Sequence, residues 1–250
     1  MAEKTKKHSD LHKILLRKND DFTLKGETKK CNDIISSWFH VLFAISPFNS
    51  KFSQDYIISV MDWAVGRFKH VDILLPSEAD ASRLLMAVGN SSKKALRKTR
   101  QEIQRHLSCI ELIHKHYKQK NIKIRATKFS DYTNNSCYIR LYKLFVSAYH
   151  ESVQLASVCR EMSRQAILGR LRLRDIVVNS EDVPEAAIDI ALPYIFAEMP
   201  FYLNSAGILD RESSVFIYHR RWPVGEGLYN GTFPIGVSPS QAFGIITQRF

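Results

Sequence analysis

The chain has 250 residues, 45% of them hydrophobic, with a formal net charge of +11. That is enough apolar residue for a full core in one large α/β domain or two small ones, and the basic balance points to a polyanionic partner, most commonly nucleic acid. Four cysteines, at positions 31, 109, 137 and 159, make no C-x-x-C pair and no metal-ligand spacing, so no zinc site is readable and the thiols look reduced and cytosolic.

Residues 1–30 are polar and lysine-rich and contain neither a signal peptide nor an anchor. They read as a flexible basic tail, with at most a docking turn around Leu11, Ile14, Leu15 and Leu16. Residues 31–250 read as one domain. The apolar run 38–45 has the length of a buried strand, and Pro47 ends it just after Ser46. A hydroxyl where a strand ends is placed for chemistry more often than one inside an element. Taken alone, though, Ser46 and Asn49 are also ordinary turn residues. Ser53 then caps a helix burying Ile57, Val60, Met61, Ala64, Val65 and Phe68, and residues 71–75 form the next parallel strand, which completes a βαβ unit.

Ser77 starts a short helix to about residue 88, broken by Gly89 and Asn90. The stretch that follows is the most basic in the chain. Leu96, Ile103, Leu107 and Ile110 mark its buried side, while Lys93, Lys94, Arg97, Lys98, Arg100 and Arg105 cover much of the rest with only Glu102 opposing. Charge runs are usually solvated faces, but six positive residues against one negative suit a phosphate-tracking surface better. Residues 122–126 suggest a strand. Residues 138–168 suggest one long helix burying Ile139, Tyr142, Phe145, Val146, Tyr149, Val153 and Ala156. Arg170, Arg172 and Arg174 form a second basic cluster. Pro184 opens a helix with Ile188, Ala191, Leu192 and Ile195 inward, which Pro193 is expected to kink or restart. Residues 214–219 read as a strand and 224–236 as loops. No run approaches a membrane span.

Several familiar sites are missing from the sequence. There is no G-x-S-x-G elbow, no phosphate-binding G-x-x-x-x-G-K-[ST] and no G-x-G-x-x-G. His114 and His116 point to different helix faces and suit a surface better than a metal. Tyr194 and Glu198, four apart, share a helix face, so a phenol and a carboxylate could converge on an ammonium; on spacing alone, a half-buried tyrosine beside a surface glutamate fits slightly better. Tyr218 and His219 stand at a strand end.

Ser46 and Asn49 in S-P-F-N-S-K-F-S, then D-W-A-V-G-R-F, Y-I-F-A-E-M-P-F and S-S-V-F-I-Y-H, resemble the cyclodipeptide synthase family in order and spacing. The resemblance implies an α/β fold: a Rossmann-like parallel sheet with helices on both faces, similar to the catalytic domain of class I aminoacyl-tRNA synthetases but without their ATP signatures. It further implies that two aminoacyl-tRNAs are joined into a 2,5-diketopiperazine by ping-pong transfer through Ser46. Asn49 and Tyr218 would position that serine. Tyr194 and Glu198 would hold the substrate's α-amino group, with Glu198 also moving protons. His219 stands where many members carry glutamine, which places the chain nearest an Asn-Tyr-Gln-like subgroup. Lys93, Lys94, Arg97, Lys98, Arg100 and Arg105 would grip the tRNA acceptor arm, and Leu42, Ala44, Leu74, Phe201 and Phe216 would line the pocket for the first side chain. An aminoacyl ester is already activated, so neither ATP, another cofactor nor a metal is expected. A cytoplasmic monomer without a membrane partner is. The alternatives are a non-catalytic tRNA-binding module and a serine hydrolase of unusual geometry.

Overall fold

Two parallel strands and the helix between them carry the first part of the expected βαβ unit. Strand β2 (His40–Ala44) pairs in parallel with β3 (His70–Leu75), Leu42 lying opposite Asp72 and Ala44 opposite Leu74. All five residues of β2 are buried, as expected of a parallel strand covered on both faces. Helix α2 (Gln54–Val65) begins at Ser53, whose hydroxyl accepts the Tyr56 N–H at 3.2 Å. Its buried residues include Ile57, Val60, Met61 and Ala64, as their spacing requires.

The computed structural model describes residues 21–118 and 124–249. The remaining strands are β1 (Phe22–Gly26), β4 (Ile124–Lys128), β5 (Ser214–Tyr218) and β6 (Gln241–Gln248), and the sheet order is β1-β6-β5-β2-β3-β4. Five neighbouring strands are parallel and β1 is antiparallel to β6, so the sheet is mixed and not wholly parallel. The order runs outward from β2 in both directions, through β3 to β4 and through β5 to β6. The carboxyl ends of β2 and β5 therefore face one crevice at the reversal point, where open α/β sheets bind ligands.

Around the sheet lie α1 (Lys29–Ile35), α3 (Glu78–Ala87), α4 (Ser92–Lys118), α5 (Ser136–Glu151), α6 (Val153–Arg172), α7 (Glu185–Leu209) and α8 (Pro223–Tyr229). Helix α7 packs on α3, α5 and α6, and the Tyr138 hydroxyl donates to the Ala197 carbonyl at 2.9 Å. It is the one described helix long and apolar enough to cross a membrane, and 72% of its apolar window is buried inside the fold.

Several expectations are corrected. Strand β1 and the start of α1 fall inside the stretch read as tail; β1 is five residues long and is held by its pairing to β6, a partner more than two hundred residues away. The docking turn near Leu11 lies outside the described residues. The single helix over 138–168 is two, divided at Ser152, which leaves the helical conformation and caps α6 through its hydroxyl on the Leu155 N–H. Val153, expected inside, is 88% exposed. Helix α7 runs through Pro193 and Pro200, and its non-helical residue is Asn204. In the glycine-rich segment taken for loops, Pro223 starts α8, and a side chain at Gly227 would collide with the Phe233 ring.

At the amino-terminal end of the strands, opposite Ser46, a buried polar chain crosses the sheet. His40 Nδ1 lies 2.8 Å from Ser214 Oγ and His40 Nε2 lies 3.3 Å from Asp72 Oδ2. Arg125 donates to Asp72 at 2.5 Å, and Ser214 continues through Ser205 to Gln241. Serine, histidine and aspartate here have the composition of a hydrolase triad, but all three are 0–2% exposed, so the chain is structural. Burial pushes His40 below its usual pKa. For Asp72 burial acts upward, but hydrogen bonds from His40 and Arg125 outweigh it and hold the carboxyl below the usual range. Both groups bind fewer protons folded than unfolded, so stability should fall as pH drops through the histidine range near 6.5 and again through the aspartate range near 3.9. Asp72→Asn should cost about 1–3 kcal/mol at neutral pH and shallow the acid limb. Urea midpoints measured from pH 4 to 7.5 test this; superimposable curves for the two proteins would refute it.

Candidate active site

Because Pro47 cannot extend β2, the chain turns at Ser46. Ile45 N–H still reaches the Leu74 carbonyl at 2.9 Å; then Asn49 N–H closes a turn onto the Ser46 carbonyl at 3.2 Å and Phe52 N–H onto that of Asn49 at 3.0 Å. Proline at the second position suits such a turn. The Asn49 side-chain oxygen accepts the Lys51 N–H at 3.0 Å, which leaves its amide nitrogen to donate to His219 Nε2 at 3.3 Å. His219 therefore carries its proton on Nδ1. Burial, reinforced by Arg220, lowers its pKa to about 4, so the imidazole is neutral at physiological pH. Asn49 and the buried Tyr218 phenol, at the end of β5, line the same cavity. The turn after β2 is thus tied to the end of the neighbouring strand.

Helix α7 presents Tyr194 and Glu198 one turn apart on one face. The Tyr194 phenol shares the cavity with Ser46; burial, then the nearby Glu198, push its pKa well above 10, so it stays protonated. Glu198 is 8% exposed, and burial alone raises its carboxyl to about 8. Such a group exchanges a proton readily near neutrality.

These side chains line a cavity of about 330 Å³, within the range of small-molecule sites. Ser46, Asn49, Tyr194, Glu198 and Tyr218 form its polar end, and Leu84, Met162, Ala166, Ala191 and Ile195 its apolar wall. His219 is not part of the lining and stands behind Asn49. Leu42, Ala44, Leu74, Phe201 and Phe216 do not line it either; all are 0–3% exposed in the core beneath. They occupy strands buried on both faces or the inner side of α7, whereas the wall is drawn from α6 and the cavity-facing side of α7, with Leu84 from α3. The recurrence of Met162, Ala166 and Gly169 along α6 was the available signal for that wall, hidden by reading 138–168 as one helix with one inner face.

Helix α4 carries the cationic surface. Lys93, Lys94, Arg97, Lys98, Arg100 and Arg105 are all exposed. Its buried stripe is Ala95, Thr99, Ile103, His106, Ile110, Ile113 and Tyr117, with Leu96 and Leu107 only partly covered, so the inner face is rotated from the one expected. Arg105 is paired bidentately with Glu102, at 2.6 and 3.2 Å. Lys98 and Arg105, but not the other four cations, line a cleft of about 530 Å³ whose opposite wall is Pro47, Phe48, Asn49 and Phe52. One loop therefore separates the cavity from the basic cleft.

A nucleotide-motif-free Rossmann-like sheet, a strand-end hydroxyl beside a buried phenol and carboxyl, and a cationic cleft behind the same loop together define an enzyme of the aminoacyl-transfer class. The cyclodipeptide synthase family profile matches residues 22–248, and the chain belongs to that family. It is 43% identical over 235 residues to a cyclo(L-leucyl-L-leucyl) synthase of Photorhabdus laumondii, covering 94% of this chain and 100% of the relative. Among solved structures, a cyclodipeptide synthase from Bacillus thermoamylovorans matches at a TM-score of 0.85 and 33% identity, covering 95% of this chain and 100% of that one. A Mycobacterium tuberculosis protein, whose structure is described as demonstrating that cyclodipeptide synthetases are related to type I tRNA synthetases, matches in fold at a TM-score of 0.79 and 21% identity, over 93% and 96% of the two chains. The expected likeness to class I synthetases holds, and a tRNA-binding module without catalysis is not what this family is.

Proposed function

We propose that the protein joins two aminoacyl-tRNAs, with leucine the preferred residue, into a cyclic dipeptide through esters on Ser46. The observation that carries this is one cavity lined by the Ser46 hydroxyl, the Tyr194 phenol and, one helical turn along, the buried Glu198 carboxyl. Ser46 Oγ attacks the ester carbon of the first aminoacyl-tRNA; the bond to the ribose oxygen breaks and that oxygen takes up a proton. The amine of the serine-bound residue then attacks the second ester and releases the second tRNA. Finally the new terminal amine attacks the Ser46 ester, closing the six-membered ring and returning the proton to Oγ. Glu198 takes protons from the attacking amines, which must be neutral; an α-amino group titrates near 7.7–8.0, matched to a carboxyl at about 8.

Leucine is supported by the name of the 43% identical relative and by the aliphatic wall of Leu84, Met162 and Ile195. Placement in the Asn-Tyr-Gln-like subgroup is supported by His219 Nε2 accepting from Asn49 as a glutamine oxygen would. We further take the chain from β1 onward as one catalytic domain, acting as a monomer in the cytoplasm where charged tRNA is found, and the α4 surface as the tRNA grip. Expression in a bacterium followed by profiling of secreted cyclic dipeptides tests the whole reading: cyclo(Leu-Leu) is expected as the main product, and its absence together with every other diketopiperazine would refute it.

The cationic helix gives a separate expectation. Lys94→Glu with Lys98→Glu should raise KM for aminoacyl-tRNA and lower the salt slope of binding by about 0.7–0.9 for each phosphate no longer neutralised. Binding titrations between 50 and 200 mM salt read this, and an unchanged slope would move the RNA surface elsewhere.

A further inference from the structure

Arg170, in the last turn of α6, grips the turn that carries Ser46 in two ways. Its Nη1 donates to the Phe48 carbonyl at 3.1 Å, and its guanidinium carbon stands 5.1 Å from the centre of the Phe48 ring. Phe48 is the third residue of the turn that Ser46 begins and Asn49 closes. The guanidinium is half-buried, its Nε is enclosed without a hydrogen-bond partner among the described residues, and burial pulls its pKa down. A cation held this way costs free energy, and no described carboxylate within hydrogen-bond reach offsets it. Arg170 also lines both the Ser46 cavity and the basic cleft, so it sits at the partition between them.

We infer that Arg170 is a positioning residue for the Ser46 hydroxyl, acting through the Phe48 carbonyl and ring. The turn is then pinned from two sides: Asn49 is held from β5 by His219, and Phe48 from α6 by Arg170. A planar fork that donates in its plane and stacks on its face can hold a backbone oxygen and an aromatic ring together, which a lysine cannot reproduce. The inference rests on Ser46 being the nucleophile.

The test is single-turnover loading of Ser46 by leucyl-tRNA in the full chain, comparing Arg170→Met, Phe48→Ala and the double variant. A misplacement near 1 Å can cost on the order of 100-fold, so each single variant should load about 10- to 100-fold more slowly, with KM and salt slope close to wild type. The double variant should be hardly slower than Arg170→Met, because the arginine makes both holds and Phe48→Ala removes only the one to the ring. Dilute guanidinium ion should restore part of the rate to Arg170→Ala, and less of it to Arg170→Ala combined with Phe48→Ala, where only the backbone carbonyl is left to receive it. Loading at the wild-type rate, or additive losses in the double variant, would overturn the inference. So would a loss confined to KM and salt slope, since that would make Arg170 a group that binds RNA. Failure of the wild-type protein to load Ser46 would instead remove the nucleophile assignment beneath it.

Discussion

Ser46→Ala should form no aminoacyl-enzyme and no cyclic dipeptide, a loss on the order of 10³-fold or more, as when a covalent nucleophile is removed from other enzymes. The substitution deletes one oxygen at a partly exposed turn position and leaves the backbone bonds of the turn in place. Fold and tRNA affinity should therefore survive, and salt-dependent binding of leucyl-tRNA by the variant should match wild type. That combination separates a nucleophile from a structural serine, whose loss would lower the thermal midpoint as well. Product formed by Ser46→Ala at more than a trace would mean that the second amine attacks the first ester directly, with no covalent stage.

Glu198→Gln should reduce cyclic dipeptide formation by about 10²- to 10⁴-fold, the usual range for losing a general acid–base group. Ser46 loading should suffer less, because the proton from the serine leaves with the ribose while those from the two attacking amines pass through Glu198. In the wild type, kcat/KM should rise with pH with its midpoint near 8, where the carboxyl ionises, and level off above it; the variant should keep only the rise that the substrate amine itself contributes. Stability gives an independent reading. The unfolded carboxyl ionises near 4.3, but the folded one only at about 8. Between those values the native state holds a proton that the unfolded state has lost, so wild-type stability should decline as pH rises through that interval. Glutamine has no such proton, so Glu198→Gln should become the more stable protein toward pH 8. Parallel thermal midpoints for the two across pH 5–8.5 would mean that Glu198 is not held as a buried acid.

Much of this site can be read in the chain before any fold is known, because its members lie close together in sequence. Ser46 and Asn49 belong to one turn, Tyr194 and Glu198 to one helical turn, and Tyr218 and His219 to one strand end. Each pair is set by local geometry, and each is where its spacing put it. The sheet order, which brings the three pairs together, depends on β5 lying beside β2 after a separation of nearly the whole domain. Only the resemblance to a family supplied that. The cavity's apolar wall was hidden for a related reason: Leu84, Met162, Ala166 and Ile195 come from three helices, and none bears a chemistry that singles it out from the core. The residues chosen instead, such as Leu42 and Phe216, sit on fully buried strands and are not part of the cavity lining.

Proline and glycine misled at the edges for physical reasons too. Pro193 and Pro200 are carried within α7 by a helix packed on three others, where tertiary burial outweighs the lost hydrogen bonds. Gly227 sits in α8 because its backbone passes so close to the Phe233 ring that a side chain would collide with it, and at Gly225 a Cβ would stand tightly at 3.2 Å from the Phe243 and Tyr202 rings. Arg170 looked like one more member of a cationic cluster. Its neighbours Arg172 and Arg174 share its charge, but among the three only Arg170 reaches the Phe48 carbonyl.

Mass spectrometry of the intact protein mixed with leucyl-tRNA and quenched within a turnover tests the central claim most directly. A single leucyl ester on the peptide containing Ser46, chased into cyclo(Leu-Leu) when more leucyl-tRNA is added, is the predicted result. Cyclic dipeptide accumulating from a protein that never carries the ester, or an ester found on any other residue, would contradict it.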